Sequence, residues 1–534
     1  MRILGLILVT LVFAGCAPGG DTGDTRQSFD IVLEGGDVYS GVDVAPVVSD
    51  VGIVGDRIVA LGDLGDSDAG TRLDVTGLAV MPGFIDIHSH AVRSEPGDGI
   101  FRWPDAENQI RQGVTTVIGG PDGGSPLPIS ETLAAIEKST ASVNFGTFVG
   151  HGSIRGLIIG DDDRPPTEDE LQSMRDEVRK AMQQGAFGLS SGLIYAPGRF
   201  ATTEEVIELA KVAAEYDGIY ISHMREEGLD VLKSVAETIR IGEEGGLPTQ
   251  LTHHKIVGAP MWGKSTETLR LVDEALARGV DVSIDQYPYT ASSTSLTILF
   301  PGWSLDGGRE SLLARMADPE QRLRMRQEIV YRIEVDRGGN DPANVVLSNC
   351  PHDNTINGRN LSELLRQQER EVNNDNAAEL LMELVAAGNC SAVFHAINED
   401  DMINIMRHRV TMPASDGGIE GPSERVPHPR NYGTFARVLG RYVRELGVLP
   451  LHAAVHKMTM LPADRIGLRD RGRIAEGAIA DIAVIDPATV IDTATFENPH
   501  QYAKGAHHVF VSGEAVLLNG EMTGARPGKI LRSR

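Results

Sequence analysis

Short apolar runs broken by Gly and Asp occupy both ends of the chain. From Phe29 to about Met81 they read DIVLEGGDVYSG, VGIVGDRIVALG and LDVTGLAVMPG, a pattern that predicts short β-strands joined by tight turns. The same flavour returns in GRIAEGAIADIAVIDP and HHVFVSGEAVLLNGEM. Two β-rich termini around a different middle predict one small β-sandwich domain built from residues 29–81 and 470–534.

The middle, residues 82–469, repeats another unit. TEEVIELAKVAAEY is an amphipathic helical pattern, followed by a Gly turn and the apolar run GIYIS, which ends on His223. VLKSVAETIRIGEEGG then leads to LPTQLT and His253, and TETLRLVDEALARG leads to VDVSI and Asp285. Amphipathic helix, Gly stop, buried strand and polar residue together predict βα alternation with a parallel sheet. Candidate strands end near His88, Thr116–Ile118, Val149, Leu189–Ser190, His223, His253, Asp285 and Asp416. Eight such units predict an α/β chain folded as a (β/α)8 TIM-like barrel, with the active site at the carboxyl ends of its strands. Between about residues 291 and 400 the rhythm is interrupted by charged helical runs and the strand-like NVVLSN. This stretch is read as an insertion between the seventh and eighth strands, positioned to cover the site.

Composition adds limits. The 534 residues are 41% hydrophobic and 23% charged, an ordinary globular balance with length for one large domain and a smaller companion. A formal net charge of −26 excludes a nucleic-acid partner, which needs a basic face. Met1 and Arg2 precede the apolar run Ile3 to Phe13, and Ala14-Gly15-Cys16 follows. Residues 1–15 read as a secretory signal, too short to span a membrane once folded. A Cys directly after Ala-Gly resembles a bacterial lipoprotein site, which implies lipidation at Cys16. Residues 16–28 then form a flexible tether, and Ala17 after the Cys favours the outer membrane. The expected address is periplasmic, with membrane contact only through the lipid. Cys350 and Cys390 are too few for a disulfide framework and are expected to stay unbonded. Nothing in the sequence fixes an oligomeric state.

The chemistry starts with Ile85-Asp86-Ile87-His88-Ser89-His90. Residues two apart on a strand share a face, so His88 and His90 can grip one metal ion. His223 and His253 at later strand ends, with Asp416 after the last strand, turn a weak motif into a strong one. A single such histidine is often a satisfied core residue; four with a carboxylate at one barrel end are not a coincidence. His395, His408 and His428 are not read as ligands.

These features resemble the amidohydrolase superfamily. SSGLIYAPGRFA, ISHMREEG, LTHHK, DQYPYTASST, ASDGG, HPRNYGTFARVLGRYVRE and the tail RGRIAEGAIADIAVIDPATVIDTATFENPHQYAKG resemble the N-acyl-D-amino-acid deacylases, or D-aminoacylases, over nearly the whole chain after the tether. The resemblance implies zinc, as one or two ions. His223 and His253 would hold the tighter ion, with His88, His90 and Asp416 at a weaker position. His253 is preferred over His254 as the ligand because it lies thirty residues after His223. His254 and Lys255 would then face substrate.

One departure concerns the metals. Relatives carry Asn-Cys-Gly after the second strand, with the Cys shared between metal positions, whereas Gly119 to Gly124 here presents Asp122. A carboxylate can bridge, but it is harder than thiolate, which makes Mn2+, Co2+ or a true two-metal site more plausible. The alternative is that Asp122 only shapes the Gly-rich turn.

The mechanism implied is amide hydrolysis by metal-activated water, with Asp416 moving the proton. Tyr195, Tyr287 and His151 are candidates for holding the oxyanion. Lys255 and Arg430 are candidates for the carboxylate of an N-acyl amino acid, Arg430 being suited to a bidentate clasp, with Arg225 third. Tyr432 is open between site and packing. A dipeptidase acting on a carboxyl-terminal D-residue would cleave the same bond, and a lactonase would suit the same centre. A cyclic-amide hydrolase ranks lower, because Ala186 to Tyr195 has no lysine to carry a bridging carboxylate. A lipoprotein that binds ligand without chemistry ranks last.

Overall fold

The computed structural model describes residues 28–92 and 97–533, so the signal and Cys16 lie outside the described residues. Eight strand positions form the central barrel. They are β1 (Phe84–Asp86), β2 (Val114–Gly119), β3 (Asn144–Thr147, resuming as Val149–Gly150), β4 (Gly188–Gly192), β5 (Ile219–His223), β6 (Thr249–Leu251), β7 (Val282–Gln286) and β8 (Thr411–Pro413). Each pairs in parallel with the next. A parallel bridge between Ser89 and Gly417 joins the last strand to the first. The His90 N–H donates to the Gly417 carbonyl at 2.7 Å and the Asp416 N–H to the His88 carbonyl at 2.9 Å. Closure thus runs through the candidate ligands themselves.

The strands are buried along their whole length, as parallel strands covered on both sides must be. The helices outside them carry the sequence signals that start and stop them. Thr203–Ala214 is capped by the Thr202 hydroxyl, which accepts the Glu205 N–H, and Val231–Gly245 ends at Gly246 in a left-handed conformation.

The two chain ends merge into one nine-stranded sheet. Ala79–Pro82, from the N-terminal half, pairs antiparallel with Ile482–Ile485 from the C-terminal half. Leu33, Val51, Ile58, Val80, Ile482 and Phe510 close its core. Ala79–Pro82 runs straight through Gly83 into β1, so this sheet fixes where the first ligand strand begins. A Cβ on Gly83 would come within 2.2 Å of the Thr115 hydroxyl, which requires glycine at that junction.

Between β7 and β8 lies a subdomain with its own antiparallel sheet of Ser292–Ser295, Ser391–Phe394 and Val345–Asn349. Phe300, Ile329, Leu347, Leu381 and Phe394 form its separate core. Here the structure corrects the cysteine reading, for Cys350 and Cys390 are disulfide-bonded. Asn349 is paired with Ser391 across the two strands, which brings the adjoining cysteines to a Cα separation of 4.4 Å. A sequence separation of 40 hides that register in the sequence.

Candidate metal centre

The six candidate ligands converge at the carboxyl end of the barrel. His223 is the last residue of β5, and the others lie just past β1, β2, β6 and β8. Three of them stand in the left-handed backbone region that non-glycine residues avoid: Asp122 at φ 55°, His253 at 35° and Asp416 at 48°. Such strain persists only where surrounding structure enforces it, and here it turns three side chains toward one point.

Asp122 is the shared element. Its Oδ1 lies 3.5 Å from His88 Nε2 and 3.3 Å from His253 Nε2. Its Oδ2 lies 3.5 Å from His90 Nε2 and 3.7 Å from His223 Nδ1. Asp416 Oδ1 closes one side, 3.0 Å from His90 Nε2 and 3.5 Å from His88 Nε2. Two donor groups result, His88–His90–Asp122–Asp416 and Asp122–His223–His253, each with its ligand atoms within 4.8 Å of one another. Within them, His88 Nε2 and Asp122 Oδ1 are buried without a hydrogen-bond partner among the described residues. A set of imidazole nitrogens and carboxylate oxygens with donors left unpaired at its centre is one that a divalent cation would complete.

Electrostatics agree. Burial works against charge on Asp122, yet His88 and His253 hold its carboxyl well below the usual range. Burial likewise opposes the Asp416 carboxylate, and Arg430 outweighs it, keeping the group ionised. His88 shows the mirror image. Burial disfavours a charged His88, but Asp285 and Asp122 raise it well above its ordinary value. A field strong enough to hold protons on buried imidazoles is one that draws a cation.

A second layer orients the ligands. Asp285 lies 3.2 Å from His88 Nδ1 and accepts from Gln250 Nε2 and the His253 N–H, both at 2.6 Å. Glu227 faces His253 Nδ1 at 3.1 Å and accepts from Lys255 Nζ at 2.5 Å and Arg337 Nη2 at 2.7 Å. Carboxylates behind the outer ring nitrogens leave the inner ones facing the centre. Sequence reasoning missed Glu227 and Arg337 and gave Asp285 no role. Glu227 had a signal, four residues after His223 in ISHMREEG; Arg337, inside the insertion, had none.

Above the donors is a cavity of about 750 Å³, lined among others by Tyr195, Lys255, Tyr287, Ser293 and Arg430. Arg430 donates to Asp416 Oδ2 at 2.7 Å and lies over the Tyr287 ring at 4.8 Å. The Tyr287 hydroxyl has no hydrogen-bond partner among the described residues, and burial raises its pKa well above 10. The Tyr195 ring packs on His223 with centroids 4.6 Å apart, and its hydroxyl accepts from Thr294 at 3.1 Å. Lys255 reaches the cavity already committed to Glu227.

Two expected substrate residues do not reach it. His151 opens the helix His151–Ile158 and turns to Glu205 at 2.9 Å, inside a buried cluster with Arg155. His254 turns away from the centre to Thr268 at 2.9 Å. Burial drops His254 to a pKa of about 3. Arg225 braces the rim against Glu237 at 2.9 Å and the carbonyls of Arg199 and Ala201. The buried Tyr432 bonds His500 at 2.8 Å. His428 lines the cavity but contacts only the Arg430 N–H and the Ala291 carbonyl in its described hydrogen bonds.

The model of the Amidohydrolase family matches residues 72–517. D-aminoacylase of Alcaligenes xylosoxydans xylosoxydans is 37% identical over 528 residues, which span 95% of this chain and 98% of that protein. N-acyl-D-glutamate deacylase from Bordetella bronchiseptica, complexed with zinc and a phosphonate mimic of the tetrahedral intermediate, has a TM-score of 0.81 at 32% identity, over 95% of this chain and 100% of that one. A D-aminoacylase structure, described by one-metal activation and second-metal attenuation of a binuclear centre, has a TM-score of 0.79 at 34% identity, over 94% and 100%. All six converging donors lie within the matched span, and the chain belongs to the amidohydrolase family.

Proposed function

We propose that this protein is a metal-dependent amide hydrolase that releases a D-amino acid from an N-acyl-D-amino acid. The observation that carries the reading is Asp122, shared by two donor groups beneath a cavity that also presents Arg430. The deacylase names of the relatives supply the substrate class.

His88, His90, Asp122 and Asp416 would hold one divalent cation, and Asp122, His223 and His253 another. Zinc is the first choice, since the Bordetella deacylase holds it; oxygen at position 122 also suits Mn2+ or Co2+. A cation bound there acidifies water and polarises the amide carbonyl. Asp416, kept ionised by Arg430, takes a proton from the attacking water and returns it to the departing amine nitrogen. The Tyr195 and Tyr287 hydroxyls stay protonated and donate to oxygen, the former beside His223 at the carbonyl. Arg430, rigid over Tyr287, takes the substrate carboxylate, with Lys255 adding positive charge.

Amine release from N-acetyl-D- and N-acetyl-L-amino acids tests this directly. Turnover of the D-series, reduced about 10²- to 10⁴-fold in Asp416→Asn, is expected; turnover of dipeptides or lactones alone contradicts the substrate class. We also propose a lipid-anchored periplasmic address, supported by Met1 to Cys16. Loss of incorporated radiolabelled palmitate in Cys16→Ser is expected, and a wild-type chain without label contradicts it.

A further inference from the structure

A second cavity, of about 650 Å³, shares Tyr195 and Ser295 with the wall of the reaction cavity. Ile194, Ile298, Leu305, Leu312 and Val385 give it an aliphatic side, and Asp161, Thr297, Arg309 and Asn389 a polar one. The aliphatic residues other than Leu305 are at most 5% exposed, so their positions are fixed by the packing of the insertion's core. Tyr195 stands between the two spaces, its ring on His223 and its hydroxyl held by Thr294.

The direction a substrate must take follows from the proposed reaction, on which this inference rests. The carboxylate end is drawn to Arg430 and Tyr287, which lie together at 4.8 Å beside Asp416. The scissile carbonyl sits over the donors. Tyr195 packs on His223 and Arg430 on Asp416, so an acyl group directed away from Arg430 meets Tyr195. Beyond it lies aliphatic surface in a space with room for a chain of several methylenes.

We propose that the aliphatic cavity behind Tyr195 is an acyl-chain site, and that the substrates are N-acyl-D-amino acids with medium or long fatty acyl groups. Leu305, partly exposed on the lining, is then a specificity-determining residue. Each methylene removed from water favours binding, so affinity for the transition state rises with chain length until the cavity is full.

The test compares N-acetyl and N-octanoyl derivatives of D-alanine, D-leucine and D-glutamate with the full metal-loaded enzyme. Octanoyl substrates are expected to exceed acetyl ones in kcat/KM by about tenfold or more. Leu305→Trp, which fills the cavity, and Leu305→Asp, which charges it, should each collapse that ratio; thermal melting checks that both variants fold. Product inhibition gives a second readout, octanoate inhibiting the wild type more strongly than acetate and losing that advantage in Leu305→Trp. A flat or falling chain-length profile with acetyl substrates still turned over overturns the acyl site and leaves the deacylase reading standing. An unchanged ratio in both folded variants overturns it equally. Turnover of none of the six substrates sinks the deacylase reading and this inference with it.

Discussion

The two donor groups that share Asp122 are built on different principles. His223 and His253 are buried, with side chains 5% and 1% exposed, and Glu227 stands behind both rings. Lys255 and Arg337 neutralise that carboxylate. On the other side, His90 is 38% exposed and Asp416 is committed to Arg430. One position is enclosed by a buried ion-pair network, and the other includes His90, which also meets solvent. A buried, pre-oriented position holds a cation more tightly, because little remains to be ordered when the ion arrives. The open position is the one whose ligands can exchange protons.

Substitutions at the enclosed side should have the largest effect. His253→Ala is expected to abolish metal retention through dialysis and to lower kcat/KM by about 10³-fold or more, a loss of transition-state charge stabilisation. Wild-type metal content in that variant, measured by plasma mass spectrometry, would erase the comparison. Next, Glu227→Gln strands Lys255 and Arg337 as buried cations. A stability loss of about 3–5 kcal/mol by urea unfolding is expected, as for a buried pair losing one partner. His90→Asn should be milder, lowering cation affinity at the open position by about 10- to 100-fold and sparing the enclosed one. Equal losses at both positions would show that they are not independent. The smallest effect serves as the control. Thr167 caps Glu168–Gln183 in a capping box with Glu170, far in sequence from every donor, and Thr167→Ala should cost about 1 kcal/mol with metal content unchanged.

The same contrast decides what the sequence made legible. Barrel strands announce themselves because each buried apolar run stops at Gly or a polar residue, and His88, His90, His223, His253 and Asp416 fall at those stops. Asp122 was legible only against the cysteine of the relatives, since a carboxylate in a Gly-rich turn has an ordinary explanation. Contacts that depend on distant register were hidden. The Glu227–Arg337 pair spans 110 residues, and the Cys350–Cys390 bond needs Asn349 to face Ser391. His254 failed for a local reason. Adjacent histidines in LTHHK look equivalent in the sequence, but the fold turns His253 to His223 and His254 to Thr268.

If Asp122 joins the two positions, removing its carboxylate must be felt at both of them. Metal-free wild type and Asp122→Ala would each be titrated with Co2+ and the bound ion counted by plasma mass spectrometry, with turnover of an N-acyl-D-amino acid measured at every point. Wild type is expected to take up ions at two positions of unequal affinity, and Asp122→Ala to weaken both together and lose turnover. If Asp122→Ala binds both ions with unchanged affinity and turns substrate over like the wild type, Asp122 only shapes its turn and the shared centre is wrong.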